Sequence, residues 1–535
     1  MGRSLRRVLG SWLLFSSAQW MFMIAVGVAS YAYSGAAGVG AVSVARLVPA
    51  LLVAPLAGNL IDRYDRARVV TLSCASATVA LGIGATVVAD DRPLWAMVAV
   101  TAAASALGAP PRPALEALLP ALARTPAELV RATAYWSGAD SAGFLAGAGA
   151  GGLLIAWVGT GSVVAIAAAL AGSTTILAVG LPAITASEAD EDVDDTGLLA
   201  GVRAVLSTPG LRAPYVLFVG LLLLEGTTDV QLVALAIDDL GLGDGGPGLL
   251  YLVWGVGGLL GSVALLRIVR RTGYGRALLV GSVVFGLLLT VSGLGGVAVV
   301  IAVMVPVGLG FALVEGAVMG VIPRLADDAV IGRVYGVSEF LYAGVTALGA
   351  ALAPLLIGWL GVGDSLVAVG SCYALCALAT WRWCAQLDRG QQTASRVRDL
   401  LHDVPFLTPL PLPHLERLVR AARPVTVAPN EMIIATGEVG DEFYVVEDGT
   451  LDVIEYGRRL GPGDGFGEIA LLRDVPRTAT IRARTSSRLW VVDRAPFLAA
   501  LGASDDAVQT AAGVIDEHLA RPPTSGPGDA EPAES

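Results

Sequence analysis

The sequence predicts a mostly α-helical membrane protein with twelve membrane-spanning helices, followed by a small α+β domain. Of its 535 residues, 55% are hydrophobic and only 15% are charged, which is too apolar for an ordinary soluble protein. The apolar residues form runs of about 20, the length that crosses a hydrocarbon core of roughly 30 Å. After Leu387 the composition becomes polar, and short alternating segments separated by glycines predict a β-roll.

The twelve apolar runs fall into two sets of six. The first set occupies residues 9–182 within a predicted half 1–182, and the second occupies the predicted half 211–388. A polar, acidic loop at 183–210 separates them. This 6+6 division is typical of transporters whose halves move around a site at the middle of the membrane. Because no small-residue cleavage site follows the first run, we expect a membrane helix there and not a signal peptide.

The sequence contains no lysine, so all 35 of its strongly basic side chains are arginines. Arginines are concentrated before the first run and after every second run, whereas the alternate loops carry almost none, Arg92 being the exception. By the positive-inside rule, we expect a multi-pass protein of the plasma membrane with both termini in the cytoplasm. The missing lysine also excludes a Walker A loop and a Schiff base, and with them an ATP-driven pump with its own motor domain.

The part after the last run divides further. We expect a connector at 389–403, a compact cytoplasmic domain at 404–520 and a disordered tail at 521–535, which is rich in Pro, Gly, Ser and Glu. The four cysteines have no paired spacing, so no metal site and no disulfide framework is expected. No cofactor is expected either.

The stretch "FGEIALLRDVPRTATIRA", at 466–483, has the chemistry of a site for a small phosphorylated ligand. Gly467 permits a tight turn into a short apolar helix, whose first amides favour an anion. Arg477 is suited to a bidentate, charge-assisted bond with phosphate oxygens. Glu468 would repel a phosphate beside it, so its carboxylate suits a sugar hydroxyl. A phosphate and a ribose side by side predict a cyclic nucleotide.

Residues 404–520 resemble the cyclic nucleotide-binding domains of bacterial catabolite activators, cyclic-nucleotide-dependent kinases and gated channels. The resemblance extends through "PLPHLERLV", "ATGEVGDEFYVVEDGTLDV" and the cassette at 466–483. It implies a regulatory ligand, cAMP or cGMP, with its ribose 2′-hydroxyl on Glu468, its phosphate on Arg477 and its purine or phosphate near Thr478. The residues that it assigns to the pocket are Phe466, Gly467, Glu468, Ile469, Ala470, Leu471, Arg477, Thr478 and Ala479.

One residue departs from that family's pattern. Asn430 stands where a turn glycine is usual, and asparagine tolerates the left-handed conformation that such a turn requires. A domain of this shape that no longer binds a nucleotide is the alternative, but Gly467, Glu468 and Arg477 are all present. No helix-turn-helix and no basic patch follows the domain, so nucleic acid is not expected as a partner.

The stretch "GNLIDRYDRARVV", at 58–70, resembles the loop signature of the major facilitator superfamily. The resemblance implies the twelve-helix, 6+6 major facilitator fold, in which Asp62 caps or pairs at the cytoplasmic interface while the arginines contact anionic headgroups. The corresponding loop of the second half, "GSVALLRIVRRTGYGR", keeps its arginines but has no acid. The residues that match the signature as a cytoplasmic gate are Gly58, Asp62, Arg63, Arg66 and Arg68.

Two further stretches resemble parts of this superfamily. "GFLAGAGAGG", at 143–152, resembles the antiporter motif, with Ala148 in place of the usual proline. The segment from Pro110 to Leu145 resembles bacterial drug and siderophore exporters. These likenesses imply a monomeric secondary transporter, an exporter, that moves a small-molecule substrate across the lipid bilayer.

Ionisable side chains inside the apolar runs are candidates for transport or proton coupling, because their burial is expensive. Glu225 and Asp229 lie four residues apart on one face of the seventh helix, where two close carboxylates suit a proton carrier or a cationic substrate. The alternative is an internal ion pair, such as Arg46 with Asp140, that only holds helices together. The candidates are Arg46, Asp140, Glu225, Asp229, Glu315 and Glu339, with Gln19, Trp20 and Trp136 as possible cavity residues.

Taken together, these patterns favour an exporter whose activity depends on cAMP or cGMP bound to its cytoplasmic domain. The alternative is a non-transporting, membrane-anchored cyclic nucleotide receptor. A cyclic nucleotide-gated channel is disfavoured because the sequence has no TVGYG-like filter. An enzyme is disfavoured because no catalytic constellation is found.

Overall fold

The computed structural model describes residues 2–123, 125–182, 198–326, 331–502 and 504–519. The predicted acidic stretch at 187–195 and the predicted tail at 521–535 lie outside the described residues. The chain divides into two compact units, Met1–Asp388 and Arg389–Ser535.

The first unit is helical. Short π-helical turns at Leu145–Ala150 and Leu235–Asp239 follow its fifth and eighth helices. Helix α14 begins in this unit and ends in the second. The helices are α1 (Arg3–Arg63), α2 (Arg66–Ala89), α3 (Leu94–Leu107), α4 (Pro111–Leu122), α5 (Pro126–Phe144), α6 (Gly151–Val179), α7 (Leu198–Ser207), α8 (Pro209–Ala234), α9 (Gly246–Thr272), α10 (Tyr274–Leu294), α11 (Val297–Leu325), α12 (Ile331–Leu360), α13 (Val362–Ala379) and α14 (Trp381–Asp403).

Ten helical stretches within the described ranges are long and apolar enough to cross a membrane. Two of them, Arg3–Ala54 and Arg131–Val179, are 52 and 49 residues long, and each covers two of the twelve predicted runs. The backbone leaves the helical conformation inside them at Gly35, with φ 61°, and at Gly159, with φ 77°. Each long stretch is therefore two spans joined by a glycine break instead of a loop. The chain is a multi-pass membrane protein.

Glycines form the contact between the two six-helix halves. Gly152 of α6 faces Gly248 of α9 so closely that a Cβ atom on either would overlap the backbone of the other. A Cβ atom on Gly40 of α1 would lie 2.9 Å from the Ala350 carbonyl oxygen and from Pro354 of α12. All these positions lie within about three helical turns of a connection that carries few arginines. The halves thus touch at the end of the unit that is opposite the arginine-rich loops.

A residue far along the chain caps the start of α10. Asp388 of α14 accepts hydrogen bonds from the backbone N–H groups of Gly275, at 2.6 Å, and Arg276, at 2.9 Å. Its side chain is buried, and burial raises the pKa of Asp388 although these two bonds act to lower it. Gly273 has φ 103°, and a Cβ atom there or on Gly275 would crowd Asp388. The second-half loop, which lacks an acid of its own, thus receives one from α14.

The second unit is a roll of eight strands with short helices. Its two antiparallel sheets have the strand orders β1-β8-β3-β6 and β2-β7-β4-β5. The elements are α15 (Leu412–Ala421), β1 (Arg423–Val427), β2 (Met432–Ile434), β3 (Glu442–Asp448), β4 (Leu451–Val453), β5 (Arg458–Leu460), β6 (Gly465–Phe466), α16 (Glu468–Arg473), β7 (Ile481–Ala483), β8 (Ser487–Asp493), α17 (Arg494–Leu501) and α18 (Asp505–Leu519).

Strand β3 separates the two cores of this unit, because alternate side chains point to opposite faces. Tyr444 and Val446 belong to the core inside the roll. Phe443 belongs to the core between the roll and the helices, where its ring stacks on Phe497 with centroids 4.7 Å apart. Asn430 has φ 67°, the left-handed conformation expected for it. The predicted fold class, a helical membrane domain with a small β-roll domain, is confirmed.

Replacing Asp388 by alanine should lower the melting temperature of the detergent-solubilised protein. The change removes the acceptor of two helix N-terminal amides, and loss of a helix cap costs about 1 kcal/mol. Differential scanning fluorimetry measures the effect. Asp388→Asn keeps one acceptor oxygen, so its melting temperature should lie between those of the unmodified protein and Asp388→Ala. Asp399→Ala, at an exposed site on the same helix, is the control. Equal melting temperatures for all four proteins would contradict the capping role.

Candidate functional site

The cassette begins where β6 ends. Phe466 pairs with Tyr444 of β3, and their rings stack with centroids 4.9 Å apart. Gly467 follows with φ 93° and caps the short helix α16, of which Glu468 is the first residue. A Cβ atom on Gly467 would lie 2.6 Å from Arg477 Nη1 and 2.9 Å from the Glu442 carbonyl oxygen. Both its conformation and the space around it require glycine at this position.

Arg477 is buried, and two backbone carbonyls orient its guanidinium group. Nη1 donates to the Gly467 carbonyl oxygen at 2.9 Å, and Nη2 donates to the Glu442 carbonyl oxygen at 2.8 Å. The guanidinium carbon lies 5.9 Å from the centroid of the Tyr444 ring, a cation–π distance. Glu468 is also buried and contributes to the electrostatic environment of Arg477. The structure thus brings Gly467, Glu468 and Arg477 together on one side of the roll.

The charges around Arg477 oppose the effect of its burial. Burial lowers the pKa of the guanidinium, whereas Tyr444, Glu442, Asp441 and Glu468 act to raise it. Burial, and then the hydrogen bond to Glu442, raise the pKa of the Tyr444 hydroxyl. An arginine stays protonated under such conditions. Arg477 is therefore a fixed positive charge whose direct hydrogen-bond partners in the described residues are neutral carbonyls.

The other predicted pocket residues have ordinary structural positions. Ala470 and Leu471 are buried on α16, and Ile469 between them and Glu468 is half-buried. Thr478 is half-buried, and Ala479 packs against the core inside the roll.

Sequence reasoning did not assign two residues that support Arg477, Gly440 and Glu442. A Cβ atom on Gly440 would overlap the Arg477 guanidinium, so only glycine leaves room for that side chain. Glu442 supplies the carbonyl that binds Nη2, and its carboxylate accepts hydrogen bonds from Arg423 and from Tyr444. The glycine before the predicted strand in "EVGDEFYVV" was the available sequence signal. Its contact with a residue 37 positions later was not readable from the pattern.

A carboxylate fixes the far end of the cassette. Glu455 accepts hydrogen bonds from the Thr480 backbone N–H at 2.6 Å, from the Thr480 hydroxyl at 2.7 Å and from the Thr436 hydroxyl. Burial acts to raise the pKa of Glu455, but these hydrogen bonds outweigh it and the pKa is lowered. The loop that carries Arg477 is thus held at two points. The Gly467 carbonyl binds the Arg477 side chain, and Glu455 binds Thr480.

A cavity of about 480 Å³ also borders Arg477. Its lining includes Tyr444, Glu442 and Arg494, but neither Gly467 nor Glu468 is among the described residues that line it. A site for a cyclic nucleotide needs the phosphate and the ribose ligands together. This cavity therefore does not coincide with the cassette.

The first unit has a half-buried ion pair that joins its two halves. Arg46 Nη2 of α1 lies 3.1 Å from Asp229 Oδ2 of α8, and the Tyr251 hydroxyl of α9 donates to Asp229 Oδ1 at 2.7 Å. Arg46 thus forms an internal ion pair, as the alternative expected, but with Asp229 in place of Asp140, whose Oδ1 lies 3.5 Å from the Ser16 hydroxyl.

Glu225 has much weaker interactions than Asp229. The hydroxyl of Tyr342 lies 3.5 Å from Glu225 Oε1, the outer limit of a hydrogen bond. Glu225 Oε2 is buried and has no hydrogen-bond partner within the described residues.

A further group of charges lies between α4, α5, α11 and α12. Sequence reasoning missed Arg112, which is within electrostatic reach of Asp140, Glu116 and Glu339. Glu315 is within reach of Arg112, Asp140 and Glu339, and both Glu315 and Glu339 are exposed. Because these acids interact across the two halves yet remain exposed, they border an open space between them.

The three predicted cavity residues differ in their surroundings. Trp20 packs edge-on against Phe144, with ring centroids 4.7 Å apart. Trp136 is buried, stacks on Trp12 and donates to Glu116, so it is part of the core. Gln19 donates to the Gly108 carbonyl oxygen at 3.4 Å.

The loop signature is only partly described. Gly58 and Asp62 lie in α1, but the structure does not describe the surroundings of either residue. Arg63 is the last residue of α1, and Arg66 donates to the Ala117 carbonyl oxygen at 3.0 Å. The carboxylate that caps α2 is Asp65, which accepts from the backbone N–H groups of residues 67 and 68.

Residues 8–350, more than half of the chain, match the family model of the Major Facilitator Superfamily. The chain belongs to the major facilitator superfamily. The solved structure of the nucleoside transporter NupG is similar to this superfamily member, with a TM-score of 0.59 and 14% identity over 71% of this chain and 99% of that chain. At this identity the likeness supports the fold alone.

Residues 424–504 of this superfamily member match the model of the cyclic nucleotide-binding domain. The cAMP-dependent protein kinase regulatory subunit of Yarrowia lipolytica is 36% identical over 121 residues, which are 22% of this chain and 32% of the relative. That of Schizosaccharomyces pombe is 33% identical over 111 residues, which are 20% of this chain and 27% of the relative. The chain thus spans about a third or less of these relatives and joins a transporter domain to a cyclic nucleotide-binding domain.

Replacing Gly440 by alanine should weaken binding of a cAMP-like ligand by roughly 5- to 150-fold. The added Cβ atom displaces the Arg477 guanidinium, and a misplaced charged hydrogen bond costs about 1–3 kcal/mol. Isothermal titration of the purified full-length protein measures the change. Gly461→Ala is the matched control, because a Cβ atom at Gly461 meets nothing within 4 Å. Unchanged affinity in Gly440→Ala would contradict the role given to this contact.

Proposed function

We propose that this protein is a secondary active transporter of the plasma membrane, an exporter, whose activity is regulated by cAMP or cGMP. The observation that carries the proposal is the convergence of Arg477, Gly467 and Glu468 in a domain attached to a transporter fold. The ligand's phosphate would pair with Arg477, and its ribose 2′-hydroxyl would donate to Glu468.

The state of Arg477 favours binding of an anion. Its two hydrogen bonds to carbonyl oxygens position the guanidinium but leave its charge without a direct anionic partner among the described contacts. A charge-assisted bond to phosphate is roughly twice as strong as a neutral hydrogen bond. The nucleotide therefore gains from a group that is already oriented, and the protein does not have to break an ion pair to bind it.

The contact between the halves supports access from the cytoplasm. By the positive-inside rule, the arginine-rich loops lie on the cytoplasmic side, with both termini and the nucleotide-binding domain. The glycine contacts, Gly152 with Gly248 and Gly40 with Ala350, close the opposite end. A substrate would then enter from the cytoplasm, which is the first step of export.

Helix α14 offers a route from the nucleotide to the transporter. It begins directly after the last span, extends to Asp403 and carries Asp388, which caps α10. A change in the position of α14 on nucleotide binding would alter this cap and bias the equilibrium between inward- and outward-facing states. A coupling of about 1–3 kcal/mol would change transport by roughly 5- to 150-fold.

Efflux of ethidium from vesicles that contain the purified protein tests the regulation. Adding cAMP or cGMP on the side of the nucleotide-binding domain should change the efflux rate by roughly 5- to 150-fold. Arg477→Gln should abolish the change and retain the basal rate, because it removes the charge that pairs with the phosphate and lies outside the transporter domain. If the nucleotide binds and neither one alters efflux, the regulatory proposal fails.

The same vesicles test the route through α14. Asp388→Ala should retain nucleotide affinity, because the substitution lies outside the nucleotide-binding domain, but should reduce the effect of the nucleotide on efflux. Asp399→Ala should behave as the unmodified protein. A full nucleotide effect in Asp388→Ala would show that the cap does not carry the coupling.

The alternative is a non-transporting, membrane-anchored cyclic nucleotide receptor. Ala148, which replaces the proline of the antiporter motif, favours it. The acid missing from the second-half loop is weaker support, since Asp388 takes a capping role there. Loss of flux in Glu225→Gln would exclude the receptor, because only a transporter has flux to lose.

A further inference from the structure

The two acids of α8, Glu225 and Asp229, have different surroundings and therefore different roles. Asp229 has an ion pair with Arg46 and a hydrogen bond from Tyr251, so both of its oxygens are engaged. Glu225, one helical turn earlier, has a single long contact with Tyr342 and a buried Oε2 without a partner in the described structure. A buried polar oxygen without a partner is expensive, and a ligand that supplies the missing contact is favoured.

The surroundings of Glu225 carry an excess of negative charge. The charged groups within its electrostatic reach are Asp229 from the same helix, Arg46 from α1 and Glu315 from α11, together with the polar Tyr342 from α12. Asp229 already neutralises Arg46. In the wider space between the halves, Arg112 pairs with Glu116 at 3.5 Å, while Asp140, Glu315 and Glu339 also lie around it and within electrostatic reach of one another. This space attracts cations and repels anions.

Aromatic rings lie close to the same acids. Trp20 packs against Phe144 at 4.7 Å, Phe144 packs against Tyr251 at 6.2 Å, and Tyr251 is hydrogen-bonded to Asp229. The faces of such rings attract organic cations, and more strongly when the cation is desolvated. A proton alone would gain nothing from them. Tyr251 is also within electrostatic reach of Glu225, and the half-buried Tyr342 has its hydroxyl 3.5 Å from Glu225 Oε1. Aromatic rings at Glu225 itself therefore favour an organic cation over a bare proton as the occupant.

The space on the Asp229 side is too small for such a ligand. The cavity lined by Arg46, Asp229 and Tyr251 has a volume of about 30 Å³, well below the roughly 300 Å³ or more of an ordinary small-molecule site. The open space is bordered instead by the exposed Glu315 and Glu339. A ligand would thus reach Glu225 from that side and leave the ion pair intact.

We propose that the transported substrate is an organic cation and that Glu225 Oε2 binds its positively charged nitrogen. Asp229 is not the substrate ligand; it stays paired with Arg46 and connects the halves. The proposal rests on the proposed transport function and adds the substrate class and the residue that recognises it. Glu315 and Glu339 attract the cation on its way to Glu225.

Binding of tritiated tetraphenylphosphonium to the purified, full-length protein tests the assignment. Tetraphenylborate, which has nearly the same shape and the opposite charge, is the matched control probe. We expect tetraphenylphosphonium to bind and tetraphenylborate not to bind. Glu225→Gln, which keeps the shape and removes the charge, should weaken tetraphenylphosphonium binding at least tenfold, whereas Glu339→Gln should weaken it less than threefold.

Asp229→Asn distinguishes the two acids. It should lower the melting temperature, because Arg46 loses its partner, while tetraphenylphosphonium affinity in the folded fraction changes less than in Glu225→Gln. Equal binding of both probes, no binding of tetraphenylphosphonium, or unchanged binding in Glu225→Gln overturns the proposal. A Glu225→Gln variant that keeps cation binding but loses proton flux would also overturn it, since Glu225 would then carry a proton.

Because binding is measured without flux, failure of this inference can be separated from failure of the proposed function. Glu225-dependent cation binding with no flux in vesicles would leave the cation site standing and remove transport. Suppose instead that the protein binds no tetraphenylphosphonium but shows a proton flux that depends on the nucleotide and not on ethidium. That result would support transport and contradict the cation site.

Discussion

The low dielectric of the hydrocarbon core constrains everything in the first unit. Backbone polar groups there must be satisfied within the protein, so the chain crosses as helices, and a charge is tolerated only where it is paired or borders an aqueous space. The Arg46–Asp229 pair meets this condition by joining the two halves. Removing either partner would leave the other charge uncompensated, so this contact constrains the positions of α1 and α8 relative to each other.

In the second unit a similar constraint acts on one arginine. Arg477 is buried in a soluble domain, and its position depends on glycine at two places, Gly440 and Gly467, and on the stacked pair Tyr444 and Phe466. The glycines provide space and the carbonyls provide direction. The site is therefore prepared by the shape of the backbone, and little rearrangement of the arginine is needed when an anion arrives.

The sequence predicted those features that depend on local patterns. Apolar runs and arginine-rich loops revealed the spans, and the spacing of Gly467 to Arg477 revealed the cassette. It did not reveal that adjacent spans are joined at Gly35 and Gly159 without a loop, because a positive φ at a single glycine can replace a loop. It also did not reveal partners far apart in the chain: Arg46 with Asp229, and the Asp388 cap on α10. Such pairs depend on how helices pack, and periodicity carries no information about that.

The contact of Gly152 with Gly248 has a consequence for how the halves can separate. Two bare backbone surfaces meet there, so at this point no side chain has to change rotamer when the surfaces part, although Leu252 packs over Gly149 nearby. The energy of such a contact comes from dispersion, which loses about a quarter to a half of its strength within roughly an ångström of separation. The closed end should therefore open abruptly, as a release between two discrete arrangements, and the population of a half-open form should be small.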